Sequence, residues 1–162
     1  MTDDSWFATI IDQAPDAIIV SDRQGRIQLW NAAAERLFGH ASAQAIGESL
    51  DIIIPERLRA AHWRAFDRAM ESGQTRYGGR TLTTRSMRRD GAKQYVDMSF
   101  ALIKDETGAV TGALAFVRDA TERHESERAM RERIAQLERS SGVTRPSADV
   151  RGPRPHPRIG CR

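Results

Sequence analysis

Cysteine is nearly absent: Cys161, beside the C-terminus, is the single one in 162 residues. One thiol excludes an internal disulfide and a cysteine-built metal cluster, and it fits a reducing, cytoplasmic setting. Long apolar runs are missing too, none approaching the roughly 18–20 residues that cross a bilayer. The opening, MTDDSWF, is acidic and lacks a basic start before an apolar stretch, so no secretory leader is expected. Charge of one sign is scarce once the tail is set aside. From Ser140 onward Arg145, Arg151, Arg154, Arg158 and Arg162 face Asp149 alone, which is +4. The whole chain is +3, so the preceding residues sum to −1. No basic field covers the body of the chain, and specific nucleic-acid binding is not expected.

Signatures of catalysis are also lacking. GGR at 78–80 has neither the Lys-Ser/Thr of a phosphate-binding loop nor its strand-turn-helix context. No nucleophile–base pair or catalytic carboxylate pair stands out. His40, His62, His124 and His156 fall in unrelated segments, so no conventional metal site forms from them. A regulatory or binding module is the leading class, and a stand-alone small-molecule enzyme is its rival.

What remains is a soluble-domain balance, 40% hydrophobic and 29% charged, long enough for one domain with extensions. SWFATIIDQ (5–13) spaces Trp6, Phe7, Ile10 and Ile11 as one helical face, with Ser5 as its cap and Pro15 as its stop. DAIIVSD and GRIQLWN read as a hairpin around DRQG, where Gly25 can take positive φ. NAAAERLFG is a helix capped by Asn31 and stopped by Gly39, burying Ala34, Leu37 and Phe38. A short helix, a break at Gly47 and a turn closed by Pro55 lead to the longest central helix, ERLRAAHWRAFDRAMESG. Its apolar positions include Leu58, Ala61, Ala65, Phe66 and Ala69; His62 shares a face with Phe66, and Trp63 falls one position off that stripe. Three strands follow, GRTLTTRSM, KQYVDMSFALI and VTGALAFVRD, joined by RRDGAK and KDETGA. The order predicts an α+β fold, one five-stranded antiparallel sheet with helices on one face.

After Asp119 the pattern is helical and highly charged. Met130, Ile134 and Leu137 form a narrow seam that a second copy of the helix would bury, so a homodimer is expected. The end, SGVTRPSADVRGPRPHPRIGCR, has no period and reads as disordered. The expected division is an N-terminal cap helix over 1–14, a sensor domain over 15–120, a coiled-coil-like helix over 121–139 and a Pro/Arg-rich tail over 140–162.

APDAIIVSDRQGRIQLWNAAAERLFGH, IIIPERLRAAH, RRDGAKQYVDMSF and GALAFVRDATER occur in this order, and together they resemble the landmarks of a bacterial PAS domain. The resemblance covers about residues 5–125. It implies a PAS fold, a cytoplasmic sensory and dimerisation module in which the N-terminal cap also takes part. It also implies an output domain such as a histidine kinase or a diguanylate cyclase. Asp119 and Thr121 are similar to the family's junction pair, which ties the last strand to a signalling helix.

Within the family, IPERLRAAH resembles the segment of a haem b-binding, oxygen- or redox-sensing subgroup. There His62 takes the place of the axial ligand, Arg68 that of an arginine near a propionate, and Arg80 that of an arginine near bound gas. Met98 and Phe100, alternate residues of one strand, would face that side together. The stretch from Arg80 to Asp90 is longer than in the subgroup, and other members without haem share the AH helix. His62 is therefore open to two readings, an iron ligand or a half-buried helix residue bonded to a carbonyl, with Met98 and Phe100 as plain core. The light-sensing members carry a cysteine in NCRFL, and here none precedes Cys161; noncovalent flavin, with Trp63 or Trp30 against it, is the lesser alternative.

Overall fold

The computed structural model describes residues 3–76 and 79–140. The expected tail therefore lies outside the described residues apart from Ser140, as do Tyr77, Gly78, His156 and Cys161. Among the described residues, those up to Ser126 form one compact unit, and Glu127 to Ser140 lie outside it.

Helix α1 spans Asp3–Gln13 and stops two residues before Pro15. It begins ahead of Ser5, which is thus not its cap but an interior residue whose carbonyl accepts from the Thr9 hydroxyl. Strands β1 (Ala17–Asp22) and β2 (Ile27–Trp30) pair antiparallel as the expected hairpin. Asp22 makes the turn. Its carboxylate accepts from the backbone of Gln24 and Arg26, and Gly25 takes φ +73°. Helix α2 (Ala32–Phe38) is capped by Asn31 and closed by Gly39 in the left-handed region. Helix α3 (Ser42–Ala45) and a 3-10 turn (Leu50–Ile52) lead into α4 (Glu56–Ser72), which ends at Gly73. Strands β3 (Leu82–Met87), β4 (Lys93–Lys104) and β5 (Val110–Asp119) complete one antiparallel sheet in the order β2-β1-β5-β4-β3. Helix α5 runs Thr121–Ser140.

Alternation of residues along the strands decides which side becomes the core. Ala17 and Ile19 of β1, Val96 of β4 and Val117 of β5 are buried with Ala33, Ala34 and Phe38 of α2. Leu37 is only partly buried at the margin of that cluster. The other side carries Phe116, which is exposed, opposite Ile18.

Helix α4 faces the core differently from its sequence pattern. Ala61 and Ala65 are exposed, whereas His62, Trp63 and Phe66 are half-buried and Ala69 and Met70 buried. The small apolar alanines do not compete with the rings. Burying an aromatic side chain removes several times the apolar area of an alanine methyl, so the helix rotates its rings inward.

Candidate functional site

His62 sits among rings. Its imidazole stacks on Phe66 at 5.9 Å between centroids and meets Trp63 edge-on at 4.9 Å. Trp63, expected off the stripe, anchors the helix. Its indole Nε1 donates to Asp51 Oδ1 at 2.9 Å, and its ring covers Gly25. Arg59 donates to the carbonyls of Ile54 and Asp51, which fixes the first turn of α4 over the preceding loop. The seat of the Trp63 ring depends on Gly25 lacking a side chain, because a Cβ there would lie 2.3 Å from that ring.

Burial lowers the His62 pKa from the ordinary histidine range, against the opposing pull of Asp51 and Asp67. The imidazole is thus held neutral at physiological pH, the form that ligates metals. Its Nδ1 is buried and has no hydrogen-bond partner. A buried polar atom without a partner costs about 1–3 kcal/mol, so this nitrogen is energetically unfinished. The donor chemistry fits an iron-bound imidazole: a neutral ring with an unpartnered nitrogen beside the rings of Trp63 and Phe66. Among the described residues no three His, Cys, Asp or Glu side chains gather as a conventional metal site.

The other expected site residues are dispersed. Arg68, six positions after His62, is exposed on another face of α4, and Arg80 is exposed ahead of β3. Met98 and Phe100 lie at alternate positions of β4 on its core-facing side, opposite Val117 and Ala115 of β5, and Met98 packs on the hydrophobic cluster. A depression of about 500 Å³ lined by Phe7, Ile11, Leu29 and Trp30 lies at α1 and β2, away from His62.

The junction residues form a compact bonded unit. Thr121 N–H donates to Asp119 Oδ1 at 2.8 Å, which satisfies a free amide at the start of α5. The Thr121 hydroxyl oxygen accepts from Tyr95 N–H at 3.1 Å, and Ala120 N–H donates to the Tyr95 carbonyl at 2.9 Å. The end of β5 and the start of α5 are therefore pinned to one residue of β4.

Sequence reasoning missed the partners of this junction. Tyr95, Asp97, Arg123 and His124 converge here: Arg123 pairs with Asp97 at 2.8 Å, and His124 stacks on Tyr95 at 3.7 Å. The Thr83 hydroxyl, with help from Arg123, holds the Asp97 carboxyl below the usual carboxylate range. The alternate spacing of Tyr95 and Asp97 on one strand was visible, but their cross-strand partners depend on a register that spacing alone does not set.

A family model described as PAS fold matches residues 11–125. The sensor protein FixL of Bradyrhizobium diazoefficiens is 32% identical over 136 residues, which is 84% of this chain and 26% of that protein. The oxygen sensor protein DosP of Escherichia coli is 30% identical over 134 residues, 83% of this chain and 16% of that protein. The chain thus spans about a quarter or less of these relatives. The crystal structure of a PAS domain from Colwellia psychrerythraea, 28% identical, superposes with a TM-score of 0.64 over 73% of this chain and 97% of that one. Matched along its folded body and built on the same five-stranded sheet, the chain belongs to the PAS family, the sensory domains of signal-transduction proteins.

Proposed function

We propose that this chain is an input module that passes a signal from its core to an output unit through the junction at Asp119 and Thr121 and along α5. The observation that carries the reading is the bonding of that junction to Tyr95. The strand whose other side carries Val96 and Met98 in the core is directly bonded to the first residues of the helix. A displacement of β4 therefore acts on the root of α5, a short polar link that can take two settings. The exposed Met130, Ile134 and Leu137 give α5 a seam for a second copy, so the module works as a homodimer, with the α1 cap taking part. The sensor domain occupies 15–120 and the signalling helix 121–139. Its partner is a histidine kinase or cyclase output domain in the cytoplasm, and no enzyme activity resides in the module itself. Among the described residues no helix is long and apolar enough to cross a membrane.

Fusing the chain to a histidine-kinase output unit tests the relay. Asp119→Ala removes the acceptor of the Thr121 amide. We expect the ratio of stimulated to resting output to fall roughly tenfold, the size of a coupling near 1.4 kcal/mol, with pocket binding unchanged. An unchanged output ratio with binding intact would sink the reading, whereas equal loss of binding and output would mean misfolding.

His62 favours a more specific version, in which the module senses oxygen or redox state with haem b. Its neutral imidazole and unpartnered Nδ1 support this, as does similarity to an oxygen sensor protein. His62 would hold the iron axially, Arg68 and Arg80 would serve the propionates and the gas side, and Met98 and Phe100 would supply apolar wall. Haem b, when bound, supplies an iron whose redox and diatomic-gas chemistry the surrounding protein tunes. The absorption spectrum of protein expressed with added haem precursor should show a Soret band that His62→Ala abolishes. A colourless protein that also takes up no haemin removes this version; a flavin spectrum would replace it.

A further inference from the structure

The pairing of β3 with β4 places Thr83 opposite Asp97 and Arg85 opposite Tyr95 on the side of the sheet away from the core. Each cross-strand pair is internally bonded. The Thr83 hydroxyl donates to Asp97 Oδ1, and Arg85 Nε donates to the Tyr95 hydroxyl at 2.9 Å while its guanidinium lies 5.3 Å from the Tyr95 ring. Two consecutive residues of α5 then meet these two pairs one to one. Arg123 Nη2 donates to both oxygens of Asp97 at 2.8 Å and reaches the Thr83 hydroxyl at 3.4 Å. His124 lies flat on Tyr95, 22° from parallel. On the opposite side of the same strands sit Leu82, Thr84, Val96 and Met98.

We propose that this four-residue grid on β3 and β4 sets the rotational position of the first turns of α5, up to Ser126, with Arg123 and His124 as positioning residues of the relay. The proposal rests on the relay through α5 proposed above, and it adds to the Asp119–Thr121 pivot a second contact. A pivot alone fixes where a helix starts. Two adjacent side chains, pointing about 100° apart around the helix axis and each seated on its own pair, also fix how the helix is turned. Sliding of β3 against β4 separates Thr83 from Asp97 and Arg85 from Tyr95 together. The seats of Arg123 and His124 then change at once, although neither residue touches the core. Arg118, on β5 opposite Asp97, is itself paired with Asp16 at 2.8 Å and adds the smallest of the favourable charges beside the first seat, after the Thr83 hydroxyl and Arg123.

Hydrogen exchange of the α5 amides from His124 to Ser126, read on the whole chain, tests the grid. Arg123→Gln and Asp97→Asn should each raise exchange there about threefold, as expected for a partly exposed charge pair. The double variant should exchange no faster than either single one, because both remove one contact. Arg123→Lys should restore most of the protection, and His124→Phe should keep it while His124→Ser does not. Unchanged exchange in the single variants, strict additivity in the double, or equal loosening of β1 and β5 would each overturn the proposal. In the kinase fusion, Arg123→Gln and His124→Ser should shift resting output in the same direction. Output that answers to Asp119→Ala but not to these two removes the grid alone. Output deaf to all three removes the relay and the grid with it.

Discussion

Asn31→Ala should lower the unfolding free energy by about 3 kcal/mol, estimated from a lost helix cap and a buried backbone donor left without its acceptor. Asn31 is buried and its carboxamide is fully used. Oδ1 accepts from Ala34 N–H at 3.0 Å, capping α2, and from Ile18 N–H at 2.9 Å, holding β1. Nδ2 donates to the carbonyls of Ile11 at 2.9 Å and Asp16 at 3.1 Å, which draws the end of α1 onto the same point. Alanine keeps the helix but strands the Ile18 amide within the β1 segment that pairs with β5. With a urea m-value near 2 kcal/mol/M, the midpoint should fall by about 1.5 M. The loss should exceed that of a cap that makes only one bond. Asn31→Asp keeps the acceptor side of the network but sets a buried carboxylate oxygen against the carbonyls of Ile11 and Asp16, so it should not restore wild-type stability. A midpoint within about 0.3 M of wild type for Asn31→Ala would show that water replaces all four bonds, contrary to the buried geometry.

That residue also marks how far the sequence could be read. Its position before an Ala-rich helical run announces a cap, and the cap is there. Its bonds to Ile11, Asp16 and Ile18 come from three other segments, and no local spacing encodes them. The hairpin, the three long strands and the helix stops at Gly39 and Gly73 were legible because each rests on alternation, turn chemistry or positive φ, all local properties. The facing of α4 was not. A stripe drawn through Ala61 and Ala65 treats all apolar residues alike, whereas the fold places Trp63 against Gly25 and Asp51, contacts made by segments 12 and more residues away. The candidate site divides the same way. The family resemblance singles out His62, Met98 and Phe100 as candidates by their places along one helix and one strand. Arg123 and His124 could not be found that way, because their partners exist only once β3 and β4 are in register.

Gly112→Ala should be at least as damaging, costing about 3 kcal/mol or more, because the added methyl meets backbone and not a side chain. A Cβ at Gly112 would lie 2.2 Å from the Ser21 carbonyl oxygen and 3.2 Å from its carbon. Gly112 pairs with Asp22 of β1 on one side and Ile103 of β4 on the other, so β5 cannot retreat from one neighbour without pressing on the next. Gly25 offers the contrast: the overlap there is similar, but the obstacle is the far end of the Trp63 side chain, which can swing away. At Gly112 relief requires the end pair of the β1–β5 ladder, Asp22 with Gly112, to part, and the same ladder holds Ile19 and Val117 in the core further along. Chemical denaturation followed by circular dichroism should show a midpoint lowered by about 1.5 M urea with the slope preserved. A preserved midpoint would mean that β1 yields towards its irregular pairing with β2, where Gln28 is the extra residue between Ile27 and Leu29, and the β1–β5 ladder would then be far more compliant than its close approach implies. The distinction bears on the proposed relay, since β5 ends at Asp119: under that proposal a strand that cannot shift independently of β1 and β4 would carry displacement to the root of α5.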